Sequence, residues 1–120
     1  MSNAKVLYIF TTAPYSNAVG QEGLDAVLMG AAFDLDISIL FLHNGVFQIK
    51  KGQDNSASEL KQVTKTFRAL RDFGVDKLYA FDTSLAAAGL NKQQLCVDVD
   101  VVEHAFIRDL IKQSTRVFTF

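Results

Sequence analysis

The stretch LYAFDTSLAAAGL, Leu78–Leu90, reads as a short apolar strand running into a small-residue helix. Open α/β folds bind and react at such junctions, beyond the carboxyl ends of their strands. This junction presents Phe81, Asp82, Thr83 and Ser84. Phe81 cannot attack a substrate, carry one or move a proton. A thiol in its place would lie beside a helix N-terminus, where backbone N–H groups stabilise a thiolate or persulfide. Phenylalanine keeps the strand packing and deletes that chemistry. Asp82, Thr83 and Ser84 are favoured N-cap residues, so capping accounts for them without catalysis.

The pattern on either side repeats this alternation. KVLYIFTT, Lys5–Thr12, is a continuous run of aromatic and branched residues, as in a strand covered on both faces. APYSN, with the only proline, Pro14, reads as a turn. Leu24, Leu28, Ala31 and Leu35 then share a helical face. A second buried strand is expected from about Ile37 to His43, closed by Asn44-Gly45. After the irregular GVFQIKKGQDNSASE, Ser56 and Glu59 have capping-box spacing and predict a helix with Val63, Phe67 and Leu70 on its face and Gly74 as its C-cap. KLYAF is the third strand, and Gly89 ends the short helix after it. LCVDVDVV alternates apolar and acidic residues like a half-exposed strand. A helix over about Val102–Gln113 carries Phe106, Ile107, Leu110 and Ile111, and TRVFTF is a final strand.

Strands and helices therefore alternate from end to end. That order predicts an α/β fold: a three-layer α/β/α sandwich with a five-stranded, mostly parallel sheet, flavodoxin-like in outline. Residues 1–120 read as a single domain, without internal repeat, low-complexity tract or linker. Hydrophobic residues make up 49% of the chain, enough for a full core. The net charge of −1 offers no basic surface to neutralise phosphates or meet an anionic membrane. No apolar run approaches the roughly 20 residues of a membrane span, and the N-terminal run is too short for a signal-peptide core. The lone cysteine, Cys96, excludes an internal disulfide and fits a reducing compartment. A cytoplasmic location is expected.

Other candidate sites have plainer readings. Gly20 and Gly23 follow the first strand, where a loop could cradle a phosphate. Their spacing matches no dinucleotide or Walker fingerprint, and Glu22 would repel an anion, so close packing of a helix explains them better. His43, His104 and Cys96 lack metal-ligand spacing. Cys96 is expected at the start of a strand, near Asp98 and Asp100, which would raise a thiol pKa; it reads as structural. Val46, Phe47 and Ile49 interrupt a stretch that should be polar. They form either a partner surface or a loop folded back onto its own core. No cofactor or metal is implied.

Three stretches, TTAPYSNAVGQEGLDAVLMGAAFD, LFLHNGVFQIKKGQ and LYAFDTSLAAAGL, carry a resemblance to the DsrE/DsrF family, and within it to the TusC (DsrF-like) branch. The resemblance spans nearly the whole chain. It implies a persulfide relay by a heterohexamer of two trimers, in which this chain sits with TusB-type and TusD-type sister subunits. The relay leads to 2-thiouridine at the tRNA wobble position, or, in a DsrEFH counterpart, serves sulfur oxidation. The acceptor cysteine of the family lies on the TusD/DsrE-type subunit at the end of the third strand. Here that position is Phe81, and Cys96 is elsewhere. The resemblance therefore implies a non-catalytic subunit without direct nucleic-acid or membrane contact. The alternatives are a sulfurtransferase using Cys96 and a flavodoxin-like module binding a small ligand at the strand ends.

Overall fold

The computed structural model describes residues 4–13, 19–51, 66, 67 and 69–120. Lys5–Phe10 forms β1, Val19–Ala32 α1 and Asp36–Phe41 β2. A 3-10 helix, His43–Ile49, leaves the end of β2, and a second, Leu70–Phe73, leads toward β3, Lys77–Phe81. Asp82–Ala88 is α2, Asp100–Val102 β4, His104–Gln113 α3 and Arg116–Thr119 β5. Every strand pairing is parallel, in the order β4-β3-β2-β1-β5.

This order sets the layers. From β1 to β4 each strand steps to the same side, so right-handed crossovers place α1, the helical residues before β3, and α2 on one face. The chain then returns from one sheet edge to the other, and α3 falls on the opposite face. The two cores follow from the pleat of β1. Tyr8 and Phe10 join Phe41, Leu24, Val27, Phe67 and Leu85 on the first face. Leu7 and Ile9 join Leu40, Val102 and Ile107 on the second. Burial on both faces is why β1 from Val6 to Phe10 and β2 from Ile39 to Phe41 are unbroken apolar runs. Phe10, Phe41 and Phe67 form a ring cluster with each pair of centroids 5.6 Å apart. Aromatic pairs at this spacing and tilt add to what area burial alone supplies.

The α/β sandwich and its five parallel strands are as the sequence predicts, and Gly74 and Gly89 are the expected left-handed caps (φ 84° and 70°). Several boundaries differ. β2 stops at Phe41, because His43 already starts the 3-10 helix. Val102 belongs to β4, and α3 begins at His104. LCVDVDVV is not one strand: Leu95 makes an isolated antiparallel bridge to Lys50, and only Asp100–Val102 pair with β3. The cause is a competing set of hydrogen bonds. The Cys96 N–H donates to the Ile49 carbonyl at 2.7 Å and the Lys51 N–H to that of Gln94 at 2.8 Å, drawing the segment toward the 3-10 helix. The turn at Pro14 and the capping box of Ser56 and Glu59 with Val63 lie outside the described residues.

Candidate functional site

The carboxyl ends of β2 and β3 open into a groove of about 450 Å³. Its apolar wall is Phe81, Phe47, Ala87 and Ala88, and its polar rim is His43, Asn44 and Thr83. Phe81 ends β3 and is itself the residue preceding α2, in extended conformation (φ −73°, ψ 127°). Its backbone lies level with Val102 of β4, and its half-buried ring packs against the smaller core cluster.

The opposite wall comes from the 3-10 helix. At three residues per turn, Val46 and Ile49 stack on one side of it. Both are fully buried in the larger core cluster, whereas Phe47, one step round, is half-buried and faces the groove. This corrects the expectation of a partner surface made by all three: the segment folds back, and Val46 and Ile49 are core. Gly45 makes the fold-back possible, since a Cβ there would collide with the Phe10 carbonyl. The Leu42 N–H donates to that same carbonyl at 2.9 Å. Gln48 is also buried, and its Nε2 donates to the Thr12 carbonyl at 3.0 Å.

Ser84 links the two walls. Its hydroxyl is buried and accepts the His43 backbone N–H at 2.8 Å. His43 is held with φ 51°, a left-handed conformation uncommon outside glycine. The N-capping role expected for Asp82, Thr83 and Ser84 is absent: α2 has no side-chain cap, and the Thr83 hydroxyl donates to the Asp82 carboxylate at 3.1 Å. Ser84 is diverted to a backbone 41 positions away, a contact with no local sequence signal.

Two hydroxyls line the groove, those of Thr83 and Ser84. An activated nucleophile needs a hydrogen-bonded base. The Ser84 hydroxyl meets a backbone amide instead, and the Thr83 hydroxyl meets only Asp82. Cys96 does not line the groove; it lies in a bend ahead of β4, half-buried against the larger core cluster, rather than at the start of a strand. Gly20 and Gly23 lie within α1, not in a phosphate-binding loop. A Cβ on Gly23 would come within 2.6 Å of the Phe10 ring and 2.7 Å of the Phe120 ring, so packing explains it. His104 starts α3, exposed and away from the groove. Among the described residues, no three His, Cys, Asp or Glu side chains converge as a metal site would require.

The sequence profile of the DsrE/DsrF-like family matches residues 4–120. The chain belongs to the DsrE/DsrF-like family. It is 35% identical to "Intracellular sulfur oxidation protein DsrF" of Allochromatium vinosum, over 97% of this chain and 96% of that protein. It is 37% identical to a "Protein TusC homolog" of Pseudomonas aeruginosa, over 95% of this chain and 96% of the relative. The crystal structure of the YchN protein from E. coli superposes with a TM-score of 0.81 at 17% identity, covering 98% of this chain and 99% of that one. At that identity the likeness speaks for the DsrE/DsrF-like fold alone.

Proposed function

We propose that this chain is a non-catalytic subunit of a TusBCD/DsrEFH-type sulfur-relay complex, acting in persulfide transfer for synthesis of 2-thiouridine at the tRNA wobble position. The observation that carries this reading is Phe81. At the end of β3, on the groove where a family acceptor thiol would stand, the chain presents an aromatic ring. A relay needs a sulfur that can be attacked and can leave, and Phe81 has none. The relatives named TusC and DsrF support a role in sulfur handling. In this reading the partners are TusB-type and TusD-type sisters, two heterotrimers make a heterohexamer, and the assembly works in the cytoplasm. No described helix is long and apolar enough to cross a membrane. Of the apolar triplet, Phe47 alone keeps accessible surface and is the interface residue of this proposal.

Reconstitution with the sister subunits tests the reading. Cys96→Ser is expected to leave assembly and sulfur transfer at wild-type rates, and loss of transfer with assembly intact would instead favour a sulfurtransferase using Cys96. Phe47→Asp is expected to keep the native melting curve and abolish co-purification with the sisters; normal co-purification would remove Phe47 from the interface. A second reading, service in a sulfur-oxidation complex, is favoured by the DsrF relative. Deleting the gene separates the two: loss of tRNA 2-thiouridine supports the first, and a defect confined to sulfur oxidation supports the second.

A further inference from the structure

The face of the sheet under α3 changes character along its strands. Toward the carboxyl ends it is apolar, and Leu7, Ile9, Leu40 and Val102 pack there with Ile107 of the helix. Toward the amino ends it turns polar. Strand residues alternate between faces. The register therefore puts Lys5 beside Asp36, and Leu7, Ser38 and Lys77 in one row, all on this face. A cavity of about 350 Å³ lies there between sheet and helix, at the opposite end of the strands from the Phe81 groove.

Both walls carry polar groups with bonding capacity to spare. On the floor, Ser38 interrupts a strand that is otherwise apolar from Ile37 to Phe41, and it is half-buried. Its hydroxyl bonds to no described residue, whereas that of Ser114, at the cavity's rim, donates to the Leu110 carbonyl at 2.7 Å. Lys77 is engaged, donating to Asp36 at 2.7 Å. The ring of Tyr79 packs against Phe106, with centroids 4.9 Å apart, and its hydroxyl has no hydrogen bond among the described residues. On the helix, Phe106, Asp109, Leu110 and Gln113 recur at helical spacing and line the cavity. Lys5 on the sheet and Asp109 on the helix form no ion pair among the described residues.

We propose that this cavity binds a free α-amino acid with an apolar side chain, its carboxylate toward Lys5 and its ammonium toward Asp109. The charges of the lining select the class. A phosphate or other polyanion would meet the carboxylates of Asp36 and Asp109, and a diamine would meet the ammoniums of Lys5 and Lys77. Lys77 and Asp36 already neutralise each other. One positive group on the floor and one negative group on the helix remain, and a zwitterion answers both. Ser38 and Gln113 can each donate or accept the further hydrogen bonds that a carboxylate and an ammonium require. Tyr79, Phe106 and Leu110 supply the apolar surface for the side chain. A few hundred Å³ of apolar wall with a small number of placed polar groups is the usual form of a small-molecule site. The site shares no residue with the Phe81 groove and stands independently of the sulfur-relay reading.

Titration of the purified full chain with L-leucine and L-phenylalanine, followed by amide NMR, tests the proposal. Saturable shifts are expected at Ser38, Tyr79 and Leu110 for at least one of the two, with a dissociation constant of about 1 mM or tighter. N-acetyl-leucine lacks the ammonium and leucinamide lacks the carboxylate. Each is expected to bind about fivefold more weakly than leucine, the upper end of what an exposed ion pair contributes. Asp109→Asn is expected to weaken leucine by the same factor and leave N-acetyl-leucine unchanged. Lys5→Gln is expected to weaken leucine and leave leucinamide unchanged. Both side chains are exposed, so neither variant should move the melting curve. The absence of any saturable shift up to about 10 mM, ten times the expected limit, would overturn the proposal. So would equal affinity for leucine and its two capped forms, leucine binding that survives both variants, or shifts confined to the Phe81 groove.

Discussion

The Ser84 hydroxyl accepts the backbone N–H of His43 at 2.8 Å and fixes α2 to the 3-10 helix across the floor of the groove. Ser84→Ala leaves that N–H without its partner in a part-buried position. Losing one side of such a bond costs about 1–3 kcal/mol. Urea denaturation should show a loss in that range, with the slope of the transition unchanged. A loss below about 0.5 kcal/mol, the scale of an ordinary surface substitution, would mean that water replaces the hydroxyl and the latch is weak.

Phe81→Cys tests whether position alone makes a carrier. The thiol would open onto a groove whose Ser84 hydroxyl is held by the His43 N–H and whose Thr83 hydroxyl already donates to Asp82, so neither hydroxyl is free to assist it. The variant is expected to accept persulfide slowly, if offered a donor, and to pass none on to the acceptor protein at the native carrier's rate. Mass spectrometry of persulfide occupancy with single-turnover transfer is the check, and native-rate transfer would contradict the assignment of a non-catalytic role.

Gly45→Ala should be far more damaging than the loss of one hydrogen bond. The added Cβ would strike the Phe10 carbonyl, a backbone group with no rotamer to escape into. That carbonyl already accepts the Leu42 N–H, so moving it also disturbs the end of β1. Overpacking in cores costs typically 1–3 kcal/mol, occasionally more, and this backbone collision belongs at or above the top of that range. Little soluble protein, or a melting temperature lowered by at least 10 °C on the usual scale for a small domain, is the expected outcome.

Alkaline pH should weaken the fold. The hydrogen bond that Lys77 donates to the Asp36 carboxylate at 2.7 Å raises its ammonium above the ordinary 10.5. Burial raises the phenols of Tyr8 and Tyr79 above 10.0. A group whose folded pKa is raised contributes stability that is whole below its ordinary value and is lost as pH climbs through the raised one. Stability should therefore be flat on this account up to about pH 10 and fall beyond it. Tyr8→Phe should flatten that fall in denaturation measured from pH 8 to 11; an unchanged fall would assign it to other groups.

The layers were legible because β1 and β2 are dominated by apolar runs, Val6–Phe10 and Ile39–Phe41, and the helical faces recur between them. The final strand was legible too. Alternation misled at LCVDVDVV, where Leu95 and Cys96 bond across to the 3-10 helix rather than along β3. At Val46 and Ile49 the sequence left a partner surface and a fold-back both open, and a period of three decides for core. Phe81 was found by its place in a strand-to-helix junction. His43 and Ser84 were not joined beforehand, because their bond spans the β2–β3 crossover and neither residue type announces it.

Thr115 donates its N–H to the Lys5 carbonyl at 2.7 Å, so the first described strand and the last lie side by side. A ribosome delivers them in the opposite temporal arrangement. At about 5–20 residues per second, β1 leaves the ribosome on the order of ten seconds before β5. During that interval Tyr8 and Phe10 lack Phe118 and Phe120, the rings that later lie against them. The nascent chain therefore carries an adhesive flank that the earlier core residues cover on one side only, and its safe production depends on what holds that flank until Phe118 and Phe120 arrive.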